Sequence, residues 1–339
     1  MKMNYRFLIV LLAVATGLVA ADRLSKEFTI AASPTLIVEA DAAHVIVEEG
    51  VNGKITVEVK VPDKEDFRVS SSQVGDKIRI NLEHKGIMSW LAFPLHAIDK
   101  NGVVIKAEVP PDCDLELSAD AGRVDVTGIK GNIEITTTSG VVNLDDVEED
   151  VTVSTSTGSI RIDDLSGKLD ADVNAGTIKL NNSKGDFYLE SNTGRIEVRN
   201  SSGRFRASSN MGAIDFEGTI TEGDDNFFSS DVGSVKVTLS DQKNLDIDAE
   251  TDLGDVSIYP KPNKIISKGD RHLAAQLGSG GPKLRIRSDV GSIKIEKGTM
   301  MIRGDNDTLP EPETPEITPE IAPETPEAPT PGIKPPTGK

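Results

Sequence analysis

The stretch that decides the fold runs from Gly122 to Ile220. It reads GRVDVTGIK (122–130), GNIEITTTS (131–139), GVVNLDDVE (140–148), EDVTVSTST (149–157), GSIRIDDLS (158–166), GKLDADVNA (167–175), GTIKLNNSK (176–184), GDFYLESNT (185–193), GRIEVRNSS (194–202), GRFRASSNM (203–211) and GAIDFEGTI (212–220). One nine-residue unit is written eleven times without a gap. Gly122, Gly140, Gly158, Gly176, Gly194 and Gly212 recur every 18 residues, and Gly131, Gly167, Gly185 and Gly203 fall midway, with Glu149 substituting once. Self-similarity at a fixed period is the signature of a repeat architecture, and it outranks local propensity in choosing a fold.

Each unit is apolar at its third and fifth positions and polar between them, the period-two pattern of a half-buried strand. If two units make one coil, residues 18 apart stack at about 4.8 Å, the spacing between neighbouring strands. One inward column is then Val124, Val142, Ile160, Ile178, Ile196 and Ile214. The next is Val126, Leu144, Ile162, Leu180, Val198 and Phe216, and Ile133, Val151, Leu169, Phe187 and Phe205 line the opposite wall. The corners test this register independently, because sharp turns between strands call for positive φ, which Gly, Asn and Asp adopt most cheaply. The column Gly128, Asp146, Asp164, Asn182, Asn200, Gly218 contains nothing else. A second column, Asp120, Thr138, Ser156, Asn174, Asn192, Asn210, is also made of short polar turn formers. The fold class expected is all-β, a single-stranded parallel β-solenoid with roughly 18 residues per coil.

Outward from this core the pattern loosens. The phrase survives as Ser230-Asp231-Val232-Gly233-Ser234-Val235, Thr251-Asp252-Leu253-Gly254-Asp255-Val256 and Ser288-Asp289-Val290-Gly291-Ser292-Ile293. These read as further coils with loop insertions, the largest from Tyr259 to Lys283. Glu27 to Leu117 alternates like strands and is expected to cap the rod, since an open solenoid end exposes unpaired strand edges. The division expected is a signal peptide (1–21), an N-terminal β-rich cap with the first coils (22–118), solenoid repeats (119–303) and a disordered tail (304–339). The tail alternates Pro, Glu and Thr from Leu309 to Thr337, which favours an extended, unpacked spacer.

The first residues are basic (Lys2, Arg6), followed by an uncharged apolar run from Phe7 to Val19 that is too short to span a bilayer. Small residues at Val19-Ala20-Ala21 place cleavage before Asp22, so the chain is expected to act outside the cytoplasm, in the periplasm, at the cell surface or beyond it. No second apolar segment of spanning length follows, so no transmembrane anchor is expected after cleavage. Without Lys2 and Arg6, 55 acidic residues stand against 35 basic ones, a net charge of −20. That balance excludes nucleic acid as a partner. Cys113 is the only cysteine, so no intrachain disulfide forms and stability must come from packing and backbone hydrogen bonds.

The reiterated Ser/Thr-x-x-Gly-x-Ile-x-Val phrase, Val109-Pro110-Pro111 ahead of the first coil, and Gly278-Ser279-Gly280-Gly281 followed by Leu284-Arg285-Ile286 resemble a bacterial “putative adhesin” family with β-strand repeats. The resemblance covers about Phe28 to Glu296. It implies an exported β-solenoid domain, and no catalytic residues come with it.

Two groups are candidates for chemistry. Asp145 and Asp146 share a corner position with Asp163 and Asp164, and stacked carboxylates repel unless a cation such as Ca²⁺ relieves them. The competing reading gives Asp146 and Asp164 to the turn and leaves Asp145 and Asp163 in water. The Gly-Gly-x-Gly-x-Asp phrase of calcium-roll nonapeptides is missing. The insert Gly86 to Leu95 carries Trp90 and Phe93, a partner contact if exposed and a cap if packed. His44, His84, His96 and His272 show no metal-ligand spacing. A polysaccharide-acting β-helix enzyme needs converging carboxylates in a groove, which these scattered acids do not suggest. The sequence therefore points to a non-catalytic, adhesin-like binding module making multivalent contacts with a cell-envelope or surface component, glycan or protein. A self-associating envelope scaffold and the enzyme are the alternatives. No cofactor is expected beyond the Ca²⁺ candidate.

Overall fold

The computed structural model describes residues 23–298 apart from 32, 63–64, 86–101, 222 and 224. The expected signal segment, the insert with Trp90 and Phe93, and the expected tail therefore lie outside the described residues. What is described is all-β, without a helix, and is joined in one mostly parallel sheet. The strands are β1 (Arg23–Thr29), β2 (Thr35–Glu49), β3 (Lys54–Lys60), β4 (Phe67–Val74), β5 (Lys77–His84), β6 (Val104–Val109), β7 (Asp114–Ile129), β8 (Ile133–Asn181), β9 (Lys184–Met211) and β10 (Ile214–Ile220). They continue as β11 (Asn226–Val232), β12 (Val235–Ser240), β13 (Leu245–Leu253), β14 (Val256–Tyr259), β15 (Lys264–Lys268), β16 (His272–Leu277), β17 (Lys283–Val290) and β18 (Ile293–Gly298).

Within the repeats, β7 pairs with β8 and β8 with β9 in parallel, each residue opposite the one 18 further on, as in Val124 with Val142 and Ile178 with Ile196. Alternate side chains point inward, so the third- and fifth-position columns are buried throughout. Burial of a Val, Leu, Ile or Phe side chain stabilises by about 1.5–3 kcal/mol, which makes these columns the main source of stability. Towards β12 the core turns aromatic. Phe187, Phe205, Phe216 and Phe228 stack with successive ring centroids 5.0, 4.8 and 5.0 Å apart.

The corners hold the register. Positive φ falls on Gly128 (74°), Asp146 (51°), Asp164 (52°), Asn182 (51°) and Asn200 (50°), members of the first turn column in the sequence. The second polar column behaves differently. None of its members has positive φ; instead the Asn192 side-chain amide donates to Asn174 Oδ1 at 2.9 Å and that of Asn210 to Asn192 Oδ1 at 3.0 Å. The backbone there turns at the glycine two residues on, where Gly176 and Gly194 take φ of 152° and 147°. A methyl group on Gly194 would collide with the carbonyl oxygen of Gly176 in the adjacent turn of chain. The Ser/Thr-x-x-Gly phrase has a related cause. Ser230 Oγ donates to the Gly212 carbonyl at 2.8 Å, Ser288 Oγ to that of Gly233 at 3.0 Å and Thr251 Oγ1 to that of Gly291 at 2.8 Å, which ties each corner to its neighbour.

Both ends of the repeat depart from chain order. β2 lies directly on β7, while β5 and β6 pair with the two halves of β2 from outside. Antiparallel strands complete that end, β4 on β5, β3 on β6 and β1 on β3. At the other end the sequence suggests coils in simple succession, with 259–283 as a loop. Instead β17 pairs with both β11 and β13, and β18 with both β12 and β14, so the last strands slot between two earlier turns of the chain. The supposed loop contains β15 and β16, an antiparallel hairpin whose β16 runs against β13. Such pairing satisfies backbone groups that a bare solenoid edge would offer to other chains.

Two positions of the glycine columns make opposite predictions. Gly194→Ala meets both a closed contact and an unfavourable φ, and urea melts should show a loss of more than about 2 kcal/mol. Glu149, at φ 73°, is a non-glycine where the column otherwise has glycine, so Glu149→Gly should raise stability by about 1 kcal/mol.

Candidate binding surface

The stacking that buries the odd positions also aligns the outward ones into ladders. Along one face Asp125 accepts hydrogen bonds from His44 Nε2 at 2.5 Å, Arg123 Nε at 2.8 Å and Asn143 Nδ2 at 2.6 Å. Burial alone would push the Asp125 carboxyl up, but the hydrogen bonds from Arg123, His44 and Asn143 outweigh it and hold its pKa below the usual carboxylate value. Further along, Arg199 reaches Asp215 at 2.9 Å, Glu197 at 3.1 Å and Glu217 at 3.3 Å, and Lys179 reaches Glu197 at 3.4 Å. Burial opposes the Arg199 charge, yet the bonds and charges of Asp215 and Glu197 prevail and raise its pKa. Within these two clusters the charges are largely paired with one another.

The opposite face is different. Its outward column reads Asp170, Tyr188, Arg206, Phe227, Arg285 and Asp248 in spatial order, as the cross-strand pairs show. The Arg206 guanidinium lies 5.5 Å and Lys168 Nζ 5.9 Å from the Tyr188 ring centroid. Phe227 sits between Arg206 and Arg285 and is only half-buried. Arg206 pairs with Asp225, and the neighbouring Arg204 with Asp186. Lys283 and Arg285 are exposed and have no ion-pair partner among the described residues. Tyr188 and Phe227 stand two strand spacings apart, about 10 Å. A row of aromatic faces alternating with guanidinium groups can stack on a sugar ring or an apolar side chain while donating hydrogen bonds beside it.

None of these residues stands out in the sequence. Asp170, Tyr188 and Arg206 do share the 18-residue period, and tracing the outward columns as well as the inward ones would have placed them together. Phe227 and Arg285 come after the spacing loosens, and Arg285 joins the row only because β17 slots beside β11.

The predicted aspartates stand where the period puts them. Asp146 and Asp164 hold positive φ at the turn, and Asp163 accepts a 2.6 Å hydrogen bond from Asn182. Among the described residues no group of three or more His, Cys, Asp or Glu is arranged to hold a metal ion. Cys113 is buried, and burial pushes its thiol up to about 12, so it is protonated at neutral pH. An open concavity of about 670 Å³ beside β12, β14 and β18 includes two acids. Asp241 holds a positive-φ turn, and Glu296 is paired with Lys294 at 2.6 Å and Lys236 at 3.6 Å. Among the described residues no helix is long and apolar enough to cross a membrane.

The sequence profile of the Toastrack DUF4097 family matches residues 35–296. No curated protein matches the chain. Similar solved structures include a “putative cell adhesion protein” from Clostridium sporogenes, 10% identical, covering 81% of this chain and 100% of its own, with a TM-score of 0.24. A “putative adhesin” from Bacteroides fragilis is 14% identical, covering 81% and 97%, with a TM-score of 0.31. One from Parabacteroides distasonis is 12% identical over the same shares, with a TM-score of 0.27.

The Asp125 cluster yields a pH test. Its carboxyl has a lower pKa folded than unfolded, so its contribution is present above the unfolded value near 4 and is lost as pH falls through the folded value. Asp125→Asn should cost about 1–2 kcal/mol at pH 7 in urea melts, and much less at a pH below the folded value.

Proposed function

The chain belongs to the Toastrack DUF4097 family, and from that premise we propose that it is an exported, adhesin-like binding module of the cell envelope or surface. The 18-residue period is taken as one full coil, residues 22–118 as the cap with the first coils at one end and 304–339 as a spacer. The row Tyr188, Arg206, Phe227, Arg285 carries the reading. It offers aromatic platforms and cationic hydrogen-bond donors on an otherwise acidic protein. Its ligand is an envelope or surface glycan held by several weak contacts, since each platform touches one ring and the ladder repeats the contact along the rod.

The same features support a non-catalytic role. The acids nearest the concavity serve a turn and two ion pairs, and among the described residues no converging pair of free carboxylates flanks Tyr188 or Phe227. The reading uses no metal: Asp146 and Asp164 serve the turn, Asp163 is hydrogen-bonded and Asp145 is exposed. The melting midpoint should therefore be the same with and without a chelator; a fall on chelation would restore the Asp145–Asp164 corner as a Ca²⁺ site.

Retention of the purified chain on immobilised peptidoglycan and surface glycans tests the binding role. The Tyr188→Ala/Phe227→Ala variant should lose at least about tenfold in affinity, the equivalent of two aromatic contacts, with an unchanged melting midpoint. Equal retention of the variant, or recovery of the uncleaved protein in the cytoplasm on fractionation, would contradict the reading.

A further inference from the structure

The column one residue before the corner glycines changes character along the stack. In the regular repeats it reads Ala121, Ser139, Thr157, Ala175 and Thr193, all small or polar. It continues as Met211, Val232, Val290 and Leu253. These four are neighbours in that order, since Val232 pairs with both Met211 and Val290, and Leu253 pairs with Val290. Their exposures are 56, 52, 45 and 60%. At one strand spacing per step they form an apolar rail about 15 Å long. On one side run the corner glycines Gly212, Gly233, Gly291 and Gly254, with no side chains to cover it. On the other side run Asn210, Asp231, Asp289 and Asp252, all exposed. None of these three carboxylates has an ion-pair partner among the described residues.

Four aligned apolar side chains left in water beside a track of uncompensated carboxylates mark an interaction surface rather than scattered exposure. The track also selects the occupant. A second copy docking through a two-fold axis would bring two aspartate tracks together on a chain of net charge −18. The chain's own tail is rich in Glu, and the same repulsion disfavours it. A cationic segment is attracted, and apolar side chains between its charges cover the rail.

We propose that Met211, Val232, Val290 and Leu253, with Asp231, Asp252 and Asp289, form a docking surface for a cationic amphipathic polypeptide segment of another protein. This surface is separate from the Tyr188–Arg285 row and does not depend on the glycan reading. It gives the rod a second point of attachment, one that recognises protein.

The test uses the full chain and two fluorescent synthetic peptides, one alternating Leu and Lys, the other alternating Leu and Glu. The Leu-Lys peptide should bind and weaken as salt is raised, and the Leu-Glu peptide should not bind. Val232→Thr/Leu253→Thr/Val290→Thr and Asp231→Asn/Asp252→Asn/Asp289→Asn should each weaken the Leu-Lys peptide at least about tenfold. Circular dichroism and glycan retention should be unchanged in both, showing that the fold and the other face are intact. Undiminished Leu-Lys binding by the threonine variant, binding of neither peptide, or equal binding of both would overturn the proposal. So would concentration-dependent self-association of the wild type that the threonine variant abolishes, because the occupant would then be a second copy.

Discussion

The whole structure depends on how closely one turn of the chain approaches the next at its corners. In the regular repeats the Cα of each corner glycine rests over the carbonyl of the corresponding residue in the preceding turn of chain, a glycine in most cases, with no room for a methyl group. That contact strongly favours glycine, which recurs at a fixed interval with Glu149 as the one substitute in the repeats, and the interval sets everything else. It brings β-branched and aliphatic residues into continuous buried columns, and it lines up the outward positions with equal precision. A slip of one residue would turn the buried set to solvent. The corner hydroxyls of Ser230, Ser288 and Thr251 reinforce the register from a second side.

The ends face a different problem, because a parallel stack leaves an unpaired edge wherever it stops. The two ends use related solutions. At one, the chain leaves β2, builds β3 to β6 outside it and returns to lay β7 on its inner side. At the other, it builds β13 to β16 outside and returns to insert β17 and β18 between strands already laid down. Antiparallel strands lie outermost at the first end and, through β16 and β15, over β13 at the second, where β14 ends the other half as a parallel strand on β18. The return at the second end also has a surface consequence. It places Arg285 beside Phe227, and Val290 between Val232 and Leu253, so both candidate surfaces contain residues far apart in the sequence.

This explains which parts of the protein could be read from residues alone. The inward columns from Val124 to Ile214 and the positive-φ corner from Gly128 to Asn200 were legible because each is governed by local spacing, and buried volume and backbone strain restrict the residue types. The asparagine column was legible as a corner but not as a side-chain ladder, since Asn serves either role. The insertion of β17 and β18 was not legible, because their Gly-Ser-Ile phrase fits any position in the stack equally well. The aromatic and cationic row escaped notice for a related reason. Outward residues are under no packing constraint, so Tyr188, Arg206 and Phe227 carry no signal until the register is used to place them side by side.

The 18-residue stacking is thus the claim on which both fold and surfaces rest, and cysteine cross-linking measures it directly. Asn174, Asn192 and Asn210 are exposed corner residues in one column. Neighbours there are one strand spacing apart, about 4.8 Å between Cα atoms and within disulfide range. The Asn174→Cys/Asn192→Cys variant should close a disulfide readily under mild oxidation, with buried Cys113 taking no part. Asn174→Cys/Asn210→Cys, two spacings apart, should stay reduced under the same conditions. Failure of the first pair to close, or equal closure of both, would contradict the account.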